Sequence, residues 1–431
     1  MSKESSLFSV GKNWVAANGR YLLNLGSTFA SQGVTAIVLL VLTPILVQHL
    51  GESNFSTYGV LLNLILVTSV FDFGLNTGLV HRLIQEPQHR NLLLNAVFFF
   101  YLIIFFLVFP IVYILFRTDW VSFQGEQWRV AFILASIVAQ NMLAMFFEAI
   151  FQSVNKIFLS KWIRVLRTLL EASLLYWVSK QGSVELLLLT SMGVNFLFLA
   201  ALFVLASRQT SFKLRWHYFK VKTLWSQLHY SFWYFQSMLA TVIAYNIQIL
   251  LLHHFLTPLQ MTIFLLVFRF FEVFRTGLTN FTFVLFPSIS AMQAQKDWVG
   301  VRAQFQRVFL RVFFLSGLVF AFMLWVGDDL FSWWSKYDTL ESKKVFQVYA
   351  FYVFLLVIDH VSVVFLSALK YNRAPSILST IQSAASLVLT AILLQPFGLQ
   401  GAVWGSLLAF AFTSLIFNPV YLVYRIKKEI A

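Results

Sequence analysis

The 431-residue chain has no cysteine, which excludes disulfides, thiol catalysis and cysteine-bound metal. Charge is scarce as well: only 11% of residues are Asp, Glu, Lys or Arg, against 59% apolar and a mean hydropathy of +0.77. No soluble domain hides that much apolar surface, so the chain reads as a polytopic membrane protein. A short apolar stretch followed by a small-residue cleavage site is missing from its start, so no removable signal peptide is expected and the first span directs insertion. Phosphate-binding glycine loops are missing too. Asp72-Phe73-Gly74 has the letters of a kinase motif but lies in an apolar span, with no catalytic loop to accompany it. Nothing suggests ATP hydrolysis or a cofactor. The adjacent His253 and His254 point to different helix faces and read as interfacial residues rather than metal ligands.

What is present is a succession of apolar windows long enough to cross a bilayer. Twelve are legible, centred near residues 38, 70, 103, 140, 168, 196, 243, 274, 315, 357, 386 and 411. Assigning the loops alternately puts twenty Lys and Arg on the side of the N-terminus and six on the other, while the acids divide four against eight. Under the positive-inside rule both termini are then cytoplasmic. The net charge of +14 is thus a topology signal, with scope for contact with anionic lipid headgroups, and does not indicate nucleic acid.

The longest polar interruption, 208–229, contains RQTSFKLRWHYFKVK, basic and interleaved with aromatics. It reads as an interfacial amphipathic helix linking a lobe of six helices over 1–207 to a second over 230–431. Order of spans and loop lengths relate the halves as a repeat, with slight residue identity. The expected fold is all-α, with about twelve transmembrane helices in two six-helix lobes around a central cavity. Pro44, Pro110, Pro287 and Pro419 fall within spans and predict kinks. Pro44 and Pro287 are the candidates for hinges.

Ten ionisable residues lie inside the spans: Arg164, Arg167, Arg269, Arg275 and Arg311, with Asp72, Glu148, Glu171, Glu272 and Asp359. Charge within a bilayer is expensive, so such residues face a bundle interior, a partner or a wet path. Arg164, Arg167 and Glu171 share one face of a helix, and Arg269, Glu272 and Arg275 sweep a wider arc. Internal pairing (Arg167 with Glu171, Glu272 between its two arginines) accounts for the acids and leaves one arginine over in each triad. Arg164 is near a span end and can snorkel. Arg275 is near mid-membrane, which makes it the first candidate for a ligand contact. A guanidinium in a wet cavity offers a planar fork of donors suited to phosphate oxygens. Asp72, Glu148 and Asp359 have no basic partner on their own helix. Each is either an ion-coupling carboxylate for H+ or Na+ or the partner of a group on a neighbouring helix.

LGESNFSTYGVLLNLILVTSVFDFGLNTGLVHRLI resembles the opening helices of the bacterial polysaccharide-transport family, with a leucine-glycine before the second span and a DFG-like turn followed by a basic residue, Arg82. ALKYNRAPSILSTI and QPFGLQGAVWGSLLAF are similar to the family's last two spans, and LFPSISAMQAQKD to its eighth-span exit. The family belongs to an exporter superfamily that includes multidrug antiporters. The resemblance implies alternating access, coupling to an ion gradient, and a polyprenyl-diphosphate-linked oligosaccharide as substrate, moved across the bacterial inner membrane for O-antigen, capsule or related glycans. It leaves room for association with glycan polymerase machinery. No residue role transfers with it, so Arg275, Arg269, Arg164 and Arg167 as diphosphate ligands rest on the charge argument alone.

Two other functions compete with that reading. A multidrug or cation antiporter on the same fold calls for acids in excess within the cavity. A glycan polymerase or ligase calls for a sizeable outer loop bearing catalytic groups, which the sequence lacks.

Overall fold

The computed structural model describes residues 2–118, 123, 125–209, 213–283, 285–371 and 373–430. Among these residues there is no β-strand, and fifteen α-helices carry the chain. They run α1 (Ser2–Thr68), α2 (Leu75–Gln85), α3 (Arg90–Arg117), α4 (Gln127–Ser153), α5 (Ile157–Ser179), α6 (Val184–Gln209), α7 (Val221–Val242) and α8 (Gln248–Phe255). The remainder are α9 (Pro258–Phe283), α10 (Phe286–Ala294), α11 (Trp298–Trp325), α12 (Gly327–Ser335), α13 (Leu340–Ala368), α14 (Arg373–Ala411) and α15 (Ser414–Ile430). Every backbone donor and acceptor in a bilayer needs an internal partner, which helices supply within one segment.

Two of these elements are broken by a glycine. The backbone of α1 leaves helical geometry at Gly51 (φ 72°) and that of α14 at Gly398 (φ 54°), so each contributes two arms. Only glycine takes such angles without cost. The two arms of α14 fold back on each other and come very close. A Cβ on Gly405 would lie 2.6 Å from Thr390 Cα, the kind of approach that small residues permit between membrane helices. Seven stretches are long and apolar enough to cross a membrane. α5 and α9 fall outside that set, and these are the helices that carry the charged triads. Pro44, Pro110 and Pro419 lie inside helices. Pro287 is instead in the first turn of α10, where a missing N–H costs nothing.

The chain forms two compact units, 1–45 with 68–235, and 46–67 with 236–431. In the first, α4 is the central helix and packs on α2, α3, α5 and α6. Its inner surface, including Phe146, Phe147 and Phe151, is almost fully buried. In the second, α13 has that place and packs on α9, α10, α11, α14 and α15, with Phe346, Val361 and Phe365 at its core.

The polar interruption differs from its sequence reading. Thr210–Phe212 lie outside the described residues. From Lys213 the backbone is not an amphipathic helix. Arg215 is extended (φ −143°, ψ 130°), Trp216–Tyr218 form a single 3-10 turn, and α7 begins at Val221. The reason is a tertiary contact. The buried Asn95 side chain on α3 donates to Lys213 O (2.8 Å) and accepts from Arg215 N (2.7 Å), taking the place of a strand neighbour.

Candidate functional site

The charges of α4 and α5 in the first unit close upon one another. On α5, Arg167 pairs with Glu171 one turn on (3.1 Å), as the spacing predicts. Arg164, the arginine left over in that triad, reaches Glu148 on α4. Its Nε donates to Glu148 Oε1 at 3.1 Å, its Nη2 also binds that oxygen, and Lys161 Nζ stands 3.5 Å from Oε2. Glu148 is therefore the partner of groups on a neighbouring helix. Both guanidinium groups also lie over the Phe198 ring on α6, at 5.8 and 5.5 Å, a cation–π arrangement that no sequence pattern signals. Arg167 Nε, and on α6 the Oδ1 of the buried Asn195, have no hydrogen-bond partner among the described residues.

Asp72 ends the short 3-10 turn Ser69–Asp72 and is 2% exposed. The Tyr101 hydroxyl of α3 donates to its carboxylate, as does the backbone N–H of Asn76 (3.3 Å), so the acid caps the first turn of α2. Phe73 and Gly74 follow in left-handed conformations. A Cβ on Gly74 would lie 2.6 Å from the backbone nitrogen of Phe235, and the Phe73 ring packs on Phe100 and Phe235. The DFG letters thus build a helix junction. Two turns on, Arg82 pairs with Glu86 (2.8 Å) and donates to Ser226 and Gln227 on α7. Arg82 holds the Glu86 carboxyl below its ordinary pKa.

The second unit is less closed. On α9, Arg275 forks onto Glu272, Nε to Oε2 at 3.0 Å and Nη2 to Oε1 at 2.7 Å. Thr276 adds a weak contact to the same carboxylate, and His360 of α13 is a neighbour of Arg275. Glu272 is consumed by Arg275 and is not shared between two arginines. Arg269, half-buried one turn earlier, has Tyr58 and Glu272 as electrostatic neighbours and no ion pair among the described residues. Asp359 on α13 is 6% exposed, and its two oxygens each accept from Asn418 Nδ2 on α15, both at 3.1 Å. It has no cationic partner among the described residues. The buried Asn418 Oδ1 and Ser362 Oγ near it in sequence lack hydrogen bonds. Arg311, in contrast, is exposed on α11.

A polar network in the same unit was not foreseen. Gln248, the first residue of α8 after a π-helical turn at Ile243–Ile247, donates through Nε2 to Ala402 O (3.1 Å), Ser406 Oγ (2.8 Å) and Thr390 Oγ1 (3.3 Å). Ser386 donates to Ser406 (3.0 Å). A cavity of ≈ 10 Å³ beside Gln248, Phe264, Tyr349 and Tyr352 is about the size one water molecule needs. The close approach at Gly405 brings these groups together, and a lone Gln in an apolar window was its single sequence signal. Near the kink at Gly51, Tyr337 donates to Glu52 (3.1 Å), and burial beside that carboxylate pushes the phenol pKa up to about 12.

The fold, by contrast with the site, has clear relatives. No family model and no curated protein matches the chain. Among solved structures, an inward-facing multidrug-resistance MATE transporter of the MOP superfamily superposes with a TM-score of 0.70 at 12% identity, over 91% of this chain and 95% of that one. The lipid II flippase MurJ in an inward closed conformation gives 0.71 at 14%, over 94% and 87%. A MOP-superfamily transporter from Pyrococcus furiosus, described for the reverse polarity of its binding pocket, gives 0.64 at 13%, over 95% and 98%. The protein is a multi-pass membrane protein with the fold of the MOP-superfamily transporters.

Proposed function

We propose that the protein is a flippase for a polyprenyl-diphosphate-linked oligosaccharide, working by alternating access between two six-helix lobes in a bacterial inner membrane with both termini cytoplasmic. The observation that carries this reading is the cationic imbalance of α9. Two arginines face one carboxylate, and Arg269 has no ion pair among the described residues. A half-buried guanidinium in an apolar unit needs an anion, and a diphosphate suits its planar fork of donors. Arg275 joins it when a phosphate competes for the donors now on Glu272. Arg164 and Arg167, already paired, attract the headgroup at longer range. The lipid tail stays in the bilayer, so the protein has only to lower the cost of the headgroup's crossing. O-antigen, capsule and related glycans are the substrates the sequence resemblance favours.

The test is uptake of a fluorescent polyprenyl-diphosphate oligosaccharide into lectin-inaccessible form by proteoliposomes of the full chain. Arg269→Gln is expected to lower the rate at least tenfold with an unchanged thermal midpoint in detergent. A wild-type rate from that variant overturns the proposal. A second reading, a cation antiporter, is favoured by Asp72 and Asp359, two buried carboxylates without a cationic partner among the described residues. Ethidium uptake driven by a proton or sodium gradient, in place of lipid transfer, would decide for it. In the flippase reading the same two acids and Glu148 are the ion-coupling candidates, and Glu148 must first give up Arg164 and Lys161.

A further inference from the structure

The segment between α6 and α7 is fastened to the first unit, and the manner of fastening leaves one chemistry outward. Asn95 is fully buried, and both polar atoms of its amide engage the segment's backbone at Lys213 and Arg215. Asn91, one turn earlier on α3, accepts weakly from Lys213 N. Phe99, one turn later, receives Trp216 at 4.7 Å and Phe219 at 5.9 Å, and the two aromatics stack on each other. One stripe of α3 therefore holds the strand in place. With the backbone fixed and extended, alternate side chains turn the same way. Lys213 and Arg215 are exposed, and Leu214 between them is half-buried.

The exposed side is unusual in two respects. Arg208, Lys213, Arg215, Lys220 and Lys222 are all exposed, and none pairs with a carboxylate among the described residues. From Leu186 to Phe271 the sequence has no Asp or Glu at all. Beside these cations stand large apolar groups in the open: Trp216 at 65% exposure, and Val221 and Trp225, one turn apart on α7, at 69% and 73%. Water disfavours such a surface, and a soluble anion would answer only its charge. Tryptophan with lysine and arginine is the composition of a bilayer's headgroup level, where each basic residue near an anionic leaflet adds roughly fivefold in partition.

We infer that the segment from Lys213 to Trp225 is a docking surface for anionic phospholipid headgroups, with Lys213, Arg215, Lys220 and Lys222 on the phosphates and Trp216 and Trp225 at the acyl boundary. The surface is permanent because Asn95 and Phe99 hold it. It requires only that the protein spans a membrane and is independent of the transported substrate.

The absence of native cysteine allows a direct test. A fluorophore on His217→Cys in the full chain, in nanodiscs, is challenged with equal mole fractions of brominated phosphatidylglycerol or brominated phosphatidylcholine. The surface predicts at least threefold stronger quenching by the glycerol lipid, falling to parity in the Lys213→Gln/Arg215→Gln/Lys220→Gln/Lys222→Gln variant and in 0.5 M salt. Asn95→Ala, which keeps every charge, should also reduce the preference, and exchange of the four residues between Lys and Arg should keep it. Equal quenching by the two lipids, or a preference that survives the fourfold glutamine change, overturns the inference. So does its abolition by millimolar pyrophosphate at constant ionic strength, which would assign the cations to a free phosphate ligand.

Discussion

α4 and α13 hold the same place in their respective units: each is the most enclosed helix, and each carries one acid in its buried stretch. Their partners differ. Glu148 on α4 receives Arg164 and Lys161, whereas Asp359 on α13 receives only the neutral amide of Asn418. The arginine helices follow suit, since both arginines of α5 are paired with carboxylates and Arg269 of α9 is not. In the first unit the charges of α4 and α5 neutralise one another, and Asp72 is held by neutral donors alone among the described residues. The second keeps both a cation, Arg269, and an acid, Asp359, outside any ion pair among the described residues, so a mobile ion or an anionic ligand has something there to neutralise.

Breaking the first unit's closure should have the largest effect. Glu148→Ala leaves Arg164 and Lys161 without an acid, and loss of one partner from a buried pair costs about 3 kcal/mol. A large drop in the thermal midpoint in detergent is expected, with partial recovery on adding Arg164→Gln. Gly74→Val should come next. It imposes left-handed strain of about 1–2 kcal/mol and a clash with the backbone at Phe235, read as loss of folded yield.

Asp359→Asn tests the other side of the comparison. It should change stability by less than about 1 kcal/mol, because an amide is close in shape and no cation is abandoned. Transport, in contrast, should lose its dependence on the ion gradient. A stability loss as large as that from Glu148→Ala would erase the distinction between the units.

The smallest effect should be at Arg82–Glu86, a pair at the rim whose acid is a third exposed. Arg82→Gln should cost about 0.5 kcal/mol. The folded Glu86 carboxyl titrates below its ordinary value of 4.5. Its contribution is therefore fully present above pH of about 4.5 and is lost as pH falls through the lower folded value. The wild type and Arg82→Gln should converge in stability under acid.

Sequence spacing was informative where partners are close along the chain. Arg167 and Glu171 are four apart and pair as read, and Glu272 pairs with Arg275 three residues on, though not with Arg269 as well. It failed where the partner is remote. Arg164 and Glu148 are separated by 16 residues and Asp359 and Asn418 by 59, so no periodicity connects them. The misread segment 213–220 failed for the same reason, since its conformation is imposed by Asn95, 118 residues away from Lys213. Phe198 and Tyr101 became site neighbours without any local signal, because one more aromatic among 49 phenylalanines and 15 tyrosines carries no positional information.

Composition alone determined that this chain is a membrane protein, and hydropathy located stretches long enough to cross a bilayer, because transfer of apolar groups from water is an additive local property. The pairings within a single turn of helix followed from the same one-dimensional geometry. Tertiary structure decided which intramembrane charges are neutralised, how α14 doubles back, and which face the basic segment presents. Each of these depends on a contact between residues distant in the chain, and the free energy of a buried charge is set by what stands beside it in space.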